Sequence, residues 1–372
     1  LHRRIALLTL LAVGTRPSRQ IAGFMIATAF LSMWVSNTAT TIMMLPIGLS
    51  VIALMQSDNA QELERFATAM LLSIAYAASI GGVATLIGTP PNALLAAYLK
   101  NNHDIAIGFG QWMLIGLPVA VSMLVFTGWW LTRGGFRLGE GSASRTALQD
   151  ALRELGPLSR GERTVGLIFV LTALAWIFRP LFADVLPWVD DTSIAMAATL
   201  ALFVTPVDAG KRIFVMDWSK TEGVPWGVLL LFGGGLSLAG VIRSSGLAEW
   251  IANSLGAFGA LPLILMMALV VAVIIFLTEV TSNTATAAAF LPLLGALAVA
   301  QDVSPLLFAV PAAIAASCAF MMPVATPPNA IVFATGHMRI QAMIRAGFVL
   351  NLGGIFLVTL LSYGLISWIW LG

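Results

Sequence analysis

Charge is what this sequence has least of. Asp, Glu, Lys and Arg make up 10% of its 372 residues, where a soluble domain carries about 25%. That deficit argues against a cytosolic enzyme. The formal net charge is +2, too small to point to nucleic acid. A single cysteine, Cys318, excludes an internal disulfide and any cysteine-rich metal site. Three histidines, His2, His103 and His337, are scattered without metal-ligand spacing. HExxH, GxSxG and Walker patterns are all missing, so enzyme chemistry has no evident carrier. No signal peptide opens the chain, and Leu1 to Val13 reads as the tail of something longer.

What the chain does have is apolar length. It is 59% hydrophobic, with mean hydropathy +0.94. Apolar stretches run over 21–55, 66–99, 111–131, 164–183, 191–206, 224–242, 261–300, 304–335 and 344–371. Those at 111–131, 164–183 and 344–371 have the length of ordinary transmembrane helices. The longer stretches are broken by polar or proline-rich residues. Trp112, Trp129, Trp130, Trp188, Trp226, Trp368 and Trp370 sit near span ends and read as an interfacial belt.

Arginine placement sets the sides. Arg133, Arg137, Arg145, Arg153, Arg160 and Arg163 share the loop 132–163. Arg3, Arg4, Arg16 and Arg19 precede the first stretch, Lys211, Arg212 and Lys220 share another loop, and Arg339 and Arg345 a fourth. The positive-inside rule makes these loops cytoplasmic. Asp184, Asp190 and Asp191 fall on the opposite side. Of the 19 Lys and Arg, only Lys100, Arg179 and Arg243 depart from this scheme.

The scheme holds only if 21–55 and 261–300 each enter and leave on one side. Ile21 to Val35 would make about 22 Å of helix, short of a hydrocarbon core about 30 Å thick. Two such arms around a polar tip form a re-entrant hairpin. The first hairpin opens to the cytoplasm and the second to the outside.

Two motifs recur in the same order. Ser36-Asn37-Thr38-Ala39-Thr40 returns as Ser282-Asn283-Thr284-Ala285-Thr286, each followed at the same offset by Leu-Pro. Thr89-Pro90-Pro91-Asn92-Ala93 returns as Thr326-Pro327-Pro328-Asn329-Ala330. With the two copies in opposite orientation, this is the pattern of an inverted-repeat transporter with its site at the midplane. The repeats divide the chain into 1–131, a cytoplasmic linker 132–163, and 164–372. Equivalence of the halves implies that roughly 80 residues and about three helices precede Leu1.

A lone membrane serine usually bonds its own backbone, and a lone proline is usually a kink. Duplication of both motifs outweighs those readings. Ser-Asn-Thr at a hairpin tip exposes hydroxyls and an amide, and the following arm presents free N–H groups and a positive dipole end. That suits an anion. The same side-chain oxygens suit a hard cation equally. Thr-Pro-Pro-Asn must break its helix. The freed carbonyls then need a cation, water or another partner. Glu279 is the only acid in the apolar stretches near the motifs, with a structural or a functional role open to it. A multiply charged anion would be held by neutral dipoles and co-bound cations.

On Leu31-Ser32-Met33-Trp34-Val35-Ser36-Asn37-Thr38-Ala39-Thr40, on Leu277-Thr278-Glu279-Val280-Thr281-Ser282-Asn283-Thr284 and on both Thr-Pro-Pro-Asn segments, the chain resembles the divalent-anion:sodium symporter family. The likeness covers essentially the whole sequence, without the family's N-terminal scaffold helices. It implies an all-α polytopic membrane protein: a homodimeric, inverted-repeat elevator transporter with two re-entrant hairpins and two broken helices. It implies one sodium at Ser32, Ser36, Asn37 and the Gly88 carbonyl. A second sodium falls to Thr278, Asn283 and the Ala325 carbonyl. Substrate carboxylates fall to Asn37, Thr38, Ser282, Asn283, Thr284, Thr326 and Pro327. The resulting expectation is sodium-driven import of a C4-dicarboxylate such as succinate, malate or fumarate across a bacterial plasma membrane. No cofactor is expected beyond sodium as coupling ion, and no nucleic acid. Sulfate, citrate or sodium-independent exchange are alternatives within the family. A sodium/proton antiporter titrating Glu279 is the rival from another class.

Overall fold

The computed structural model describes residues 2–14, 16–53, 55, 60–136, 138, 145–182, 185–208, 210, 213–219, 226–247, 250 and 261–372. Of the residues used to assign sides, Arg137, Asp184, Lys211, Arg212 and Lys220 lie outside these.

The described chain is almost wholly helical. The first half runs α1 (His2–Val13), α2 (Pro17–Ser32), α3 (Asn37–Ala53), α4 (Ala60–Val83), α5 (Pro90–His103) and α6 (Phe109–Trp129), which ends in a π turn, Trp130–Gly134. The connecting segment holds α7 (Arg145–Glu154). Then come α8 (Arg160–Phe182), α9 (Asp191–Val204), α10 (Trp226–Ser244), α11 (Leu263–Thr278), α12 (Asn283–Ala300), α13 (Leu306–Ala316), α14 (Pro327–Phe333) and α15 (Ile340–Ile369). One departure from an all-helical chain is a small antiparallel ribbon, Pro206–Asp208 against Ile213–Phe214. It lies in the polar loop after α9, where local backbone pairing replaces helix.

Among the described residues, five helices are long and apolar enough to cross a membrane: Ala60–Val83, Phe109–Gly134, Arg160–Phe182, Asn283–Ala300 and Ile340–Ile369. The repeat is visible in element order. Helix, tip, helix, broken helix and long helix follow one another as α2–α6 and again as α11–α15. The arms α2 and α11 have 16 residues each, about 24 Å of helix.

Helix α4 is the axis of the core and is buried from Phe66 to Val83. Its Tyr76 hydroxyl donates to the Phe320 carbonyl at 2.8 Å, tying the first half to the break in the second. Close helix contacts rely on missing side chains. A Cβ on Gly81 would strike the Ala29 backbone, and one on Gly347 the Phe320 backbone.

Both helix breaks are built alike. Thr89 caps α5 at φ −143°, ψ 143°, and Thr326 caps α14 at φ −141°, ψ 148°. Two prolines follow in each, at positions where a helix N–H has no partner anyway.

Two readings of the sequence change here. Trp112 is not in the interfacial belt. It is fully buried, and its Nε1–H donates to the Val83 carbonyl at 2.9 Å, where α4 ends. Trp129, Trp188 and Trp368 are exposed, as a belt requires. Arg179, an exception to the charge scheme, sits 3.2 Å from Asp191, whose other oxygen accepts the Phe109 N–H at 2.8 Å. Its charge is neutralised locally, so it carries little topological weight. Beside it, Asp190 caps α9 by accepting the Ser193 N–H at 2.7 Å, and that bond holds its carboxyl below the usual range.

Candidate functional site: two tips and two broken helices

The first tip joins α2 to α3 through Met33–Ser36. Ser32 closes α2 and is fully buried. Its Oγ lies 2.7 Å from Asn37 Oδ1 and 2.7 Å from the Ala78 carbonyl of α4. One hydroxyl proton cannot serve two acceptors at once. The cluster therefore holds more oxygen than proton, which is the condition a hard cation satisfies. Gly82 permits it. A Cβ there would lie 2.6 Å from Asn37 Oδ1 and 3.0 Å from the Gly88 carbonyl oxygen. Ser32, Asn37 and Gly88 are thus brought together. Ser36 is exposed, and its Oγ accepts the Ala39 N–H at 3.3 Å as a cap for α3. Thr38 is half-buried in the first turn.

The second tip repeats the geometry with threonine for serine. Thr278 closes α11, and its Oγ1 lies 2.8 Å from Asn283 Oδ1 and 3.0 Å from the Ala316 carbonyl. Ser282 is exposed at the N-cap of α12, and Thr284 is buried one residue beyond Asn283. Ala325 lies in the second break, its N–H donating to Met322 O at 3.2 Å. No described contact joins its carbonyl to Thr278 or Asn283. Thr326 is buried, with Oγ1 accepting the Asn329 N–H at 3.3 Å, while Pro327 is exposed. The two breaks meet where Thr89 Oγ1 and Ser317 Oγ lie 3.4 Å apart.

The freed carbonyls find a partner inside the motif. Asn92 Nδ2 donates to Thr85 O at 2.8 Å and Gly82 O at 3.2 Å. Asn329 Nδ2 donates to Met322 O at 3.0 Å and Ala319 O at 3.1 Å. In both copies the acceptors lie at the same two offsets upstream. The asparagine of Thr-Pro-Pro-Asn is therefore a brace for the break.

Glu279 closes the remaining gap. It is 4% exposed. Oε1 accepts from Phe320 N at 2.7 Å, Met321 N at 2.9 Å and Asn351 Nδ2 at 2.8 Å. Oε2 accepts from Met321 N at 3.0 Å and Met322 N at 3.0 Å. The backbone N–H groups of Phe320, Met321 and Met322, in the non-helical segment between α13 and α14, are satisfied by one carboxylate. The first repeat has Met33 at this position, and there the Thr85 hydroxyl donates to the Met33 carbonyl instead.

Sequence reasoning missed the Ala78 and Ala316 carbonyls, Gly82 and Ser317. Backbone carbonyls leave no mark on residue identity. The paired Gly81-Gly82 inside an apolar run was the one signal available.

Comparison with known proteins follows the same lines. The family model described as the sodium:sulfate symporter transmembrane region matches residues 1–372. A sodium-dependent dicarboxylate transporter, SdcS, of Staphylococcus saprophyticus is 41% identical over 380 residues, covering 98% of this chain and 73% of the relative. SdcS of Staphylococcus aureus strain USA300 is 41% identical over 374 residues, covering 98% and 72%. Among solved structures, the Alcanivorax borkumensis YdaH transporter aligns over 98% of this chain and 85% of its own, with TM-score 0.53 and 15% identity. That likeness concerns the fold alone.

Proposed function

Since the chain belongs to the sodium:sulfate symporter family, whose members are transporters and not enzymes, we propose that this multi-pass membrane protein imports C4-dicarboxylates driven by sodium. The observation that carries the reading is the duplicated oxygen cluster: a hydroxyl, an asparagine Oδ1 and a helix carbonyl at each of two tips. Relatives named sodium-dependent dicarboxylate transporters support the choice of ion and substrate class.

One sodium is held by Ser32, Ser36, Asn37 and the Gly88 carbonyl, and the other by Thr278, Asn283 and the Ala325 carbonyl. The Ala78 and Ala316 carbonyls border these sites. The substrate carboxylates are held by Asn37, Thr38, Ser282, Asn283, Thr284, Thr326 and Pro327. No lysine or arginine lies in these segments, so the dianion depends on the sodium ions for charge balance. Each asparagine turns one face to a cation and one to substrate, which couples the two.

The hairpins 21–55 and 261–300 are re-entrant, and they move with the broken helices 66–99 and 304–335 as one elevator body. The inverted repeats 1–131 and 164–372 flank the cytoplasmic linker 132–163, and two copies form a homodimer in a bacterial inner membrane. The 16-residue lengths of the leading arms α2 and α11 support the hairpins. Arg339 Nε lying 3.7 Å from Glu64 Oε1 supports the second hairpin, because these two ends share a face only if 261–300 adds no net crossing. The N–H contacts from Phe320, Met321, Met322 and the Asn351 amide support a bracing role for Glu279 and favour the symport reading.

Uptake of labelled succinate into proteoliposomes, with and without an inward sodium gradient, is the test. Succinate accumulates only with the gradient, and butyrate competes at least roughly tenfold worse, because it leaves one tip without its anionic partner. Accumulation independent of sodium would contradict the proposal.

A further inference from the structure

A groove of about 270 Å³ lies between the start of α2 and the end of α6, lined by Ser18, Arg19, Ala22, Trp129, Thr132 and Arg133. It is separate from both tips. Arg19 and Arg133 are exposed there, and among the described residues neither guanidinium makes an ion pair or hydrogen bond. Arg19 also stands in the first turn of α2, where the helix dipole disfavours a cation and favours an anion. Two unneutralised guanidiniums facing one groove match an anionic oxygen group such as a phosphate.

The surface below the groove says what the anion is attached to. On α2 the exposed row continues from Arg19 through half-exposed Ala22 to Ile26 and Phe30, while the other residues between Gln20 and Ala29 are buried. On α6 the row runs from Arg133 back through Trp129, Val125 and Val121 to Leu117, with Val125 68% exposed. Both rows keep the three-to-four residue spacing of a single helix face. The two helices touch where Met25 lies against Gly128. Two apolar rows thus lead away from a pair of cations, with an exposed tryptophan at the level where a membrane protein meets the headgroups. A free anion would use the cations and leave the rows idle.

We propose that this groove binds the phosphate headgroup of an anionic membrane phospholipid, whose acyl chains lie along Ile26–Phe30 and Val121–Val125. The proposal stands on the groove alone and does not depend on the transported substrate.

The test is thermal unfolding of the full chain in neutral detergent, titrated with phosphatidylglycerol, phosphatidylcholine or inorganic phosphate. Phosphatidylglycerol should raise the midpoint at low concentration, with phosphatidylcholine and inorganic phosphate far weaker. The double variant Arg19→Gln/Arg133→Gln should need roughly tenfold more phosphatidylglycerol for the same shift, and Arg19→Lys/Arg133→Lys should restore most of the effect. Both residues are exposed, so neither variant threatens folding. An unchanged titration in the glutamine variant would overturn the proposal. So would an equal response to inorganic phosphate, which would mark a free-anion site, or to phosphatidylcholine, which would mark an acyl-chain site indifferent to charge.

Discussion

Ser32 and Asn37 stand 2.7 Å apart across the first tip, and Thr278 and Asn283 stand 2.8 Å apart across the second. In each, a helix-ending hydroxyl meets the amide oxygen that opens the next helix. In the proposed transport reading, coupling between ion and substrate rests on these two asparagines.

Asn37→Ala and Asn283→Ala should each weaken sodium activation and substrate affinity together. Removing a polar partner from a desolvated site costs about 1–3 kcal/mol, more with a charged ligand. That is roughly five- to 150-fold in an equilibrium constant. Sodium-activation curves at fixed succinate measure it. Wild-type sodium dependence in both variants would separate the tips from the ions.

Gly82→Ala should damage the proposed first sodium site selectively. The added Cβ would meet Asn37 Oδ1 at 2.6 Å and Gly88 O at 3.0 Å. Asn37 can shift and the carbonyl cannot, so the oxygens would splay. Sodium affinity should fall at least roughly tenfold, with loss of one charge-assisted contact. A monodisperse elution profile with near-normal unfolding temperature would show that the fold survives. Unaltered sodium affinity would place the first ion elsewhere.

Glu279→Ala should destabilise the whole second break, because Phe320, Met321 and Met322 would lose the acceptor for their N–H groups. Each buried donor left alone costs about 1–3 kcal/mol. Asn351→Ala removes only one of the donors to the carboxylate and should cost less. Thermal unfolding of the two variants ranks them. Equal stability of Glu279→Ala and the parent would refute the bracing role.

Cysteines placed at Ser18 and at Glu62 should label from the same side of intact cells. Both flank the first hairpin, and a re-entrant path returns the chain to its starting face. Labelling from opposite faces would make 21–55 a single crossing.

Much of this was legible in the residues. The repeated Ser-Asn-Thr and Thr-Pro-Pro-Asn motifs located both tips and both breaks, since proline and polar side chains inside apolar runs are costly at membrane depth unless a break or a site uses them. Ser32 with Asn37, and Thr278 with Asn283, were named from resemblance and are adjacent in the fold. What stayed hidden was backbone chemistry. The oxygens of Ala78 and Ala316 belong to residues that sequence treats as filler. Trp112 looked interfacial because its position along the chain is near a span end, yet it is fully buried, with its N–H satisfied by the Val83 carbonyl. Glu279 was ambiguous because its partners are main-chain N–H groups, contributed from some forty residues away, where only the fold brings them.

The central claim is that sodium and a dicarboxylate bind as one thermodynamic unit. Equilibrium binding of succinate to the purified protein over a series of sodium concentrations measures it directly. Coupled binding predicts that succinate affinity rises with sodium, with a log–log slope approaching two at low sodium, one for each tip. Reciprocity then requires succinate to raise sodium affinity by the same factor. Succinate affinity unchanged across the sodium series would contradict the claim outright.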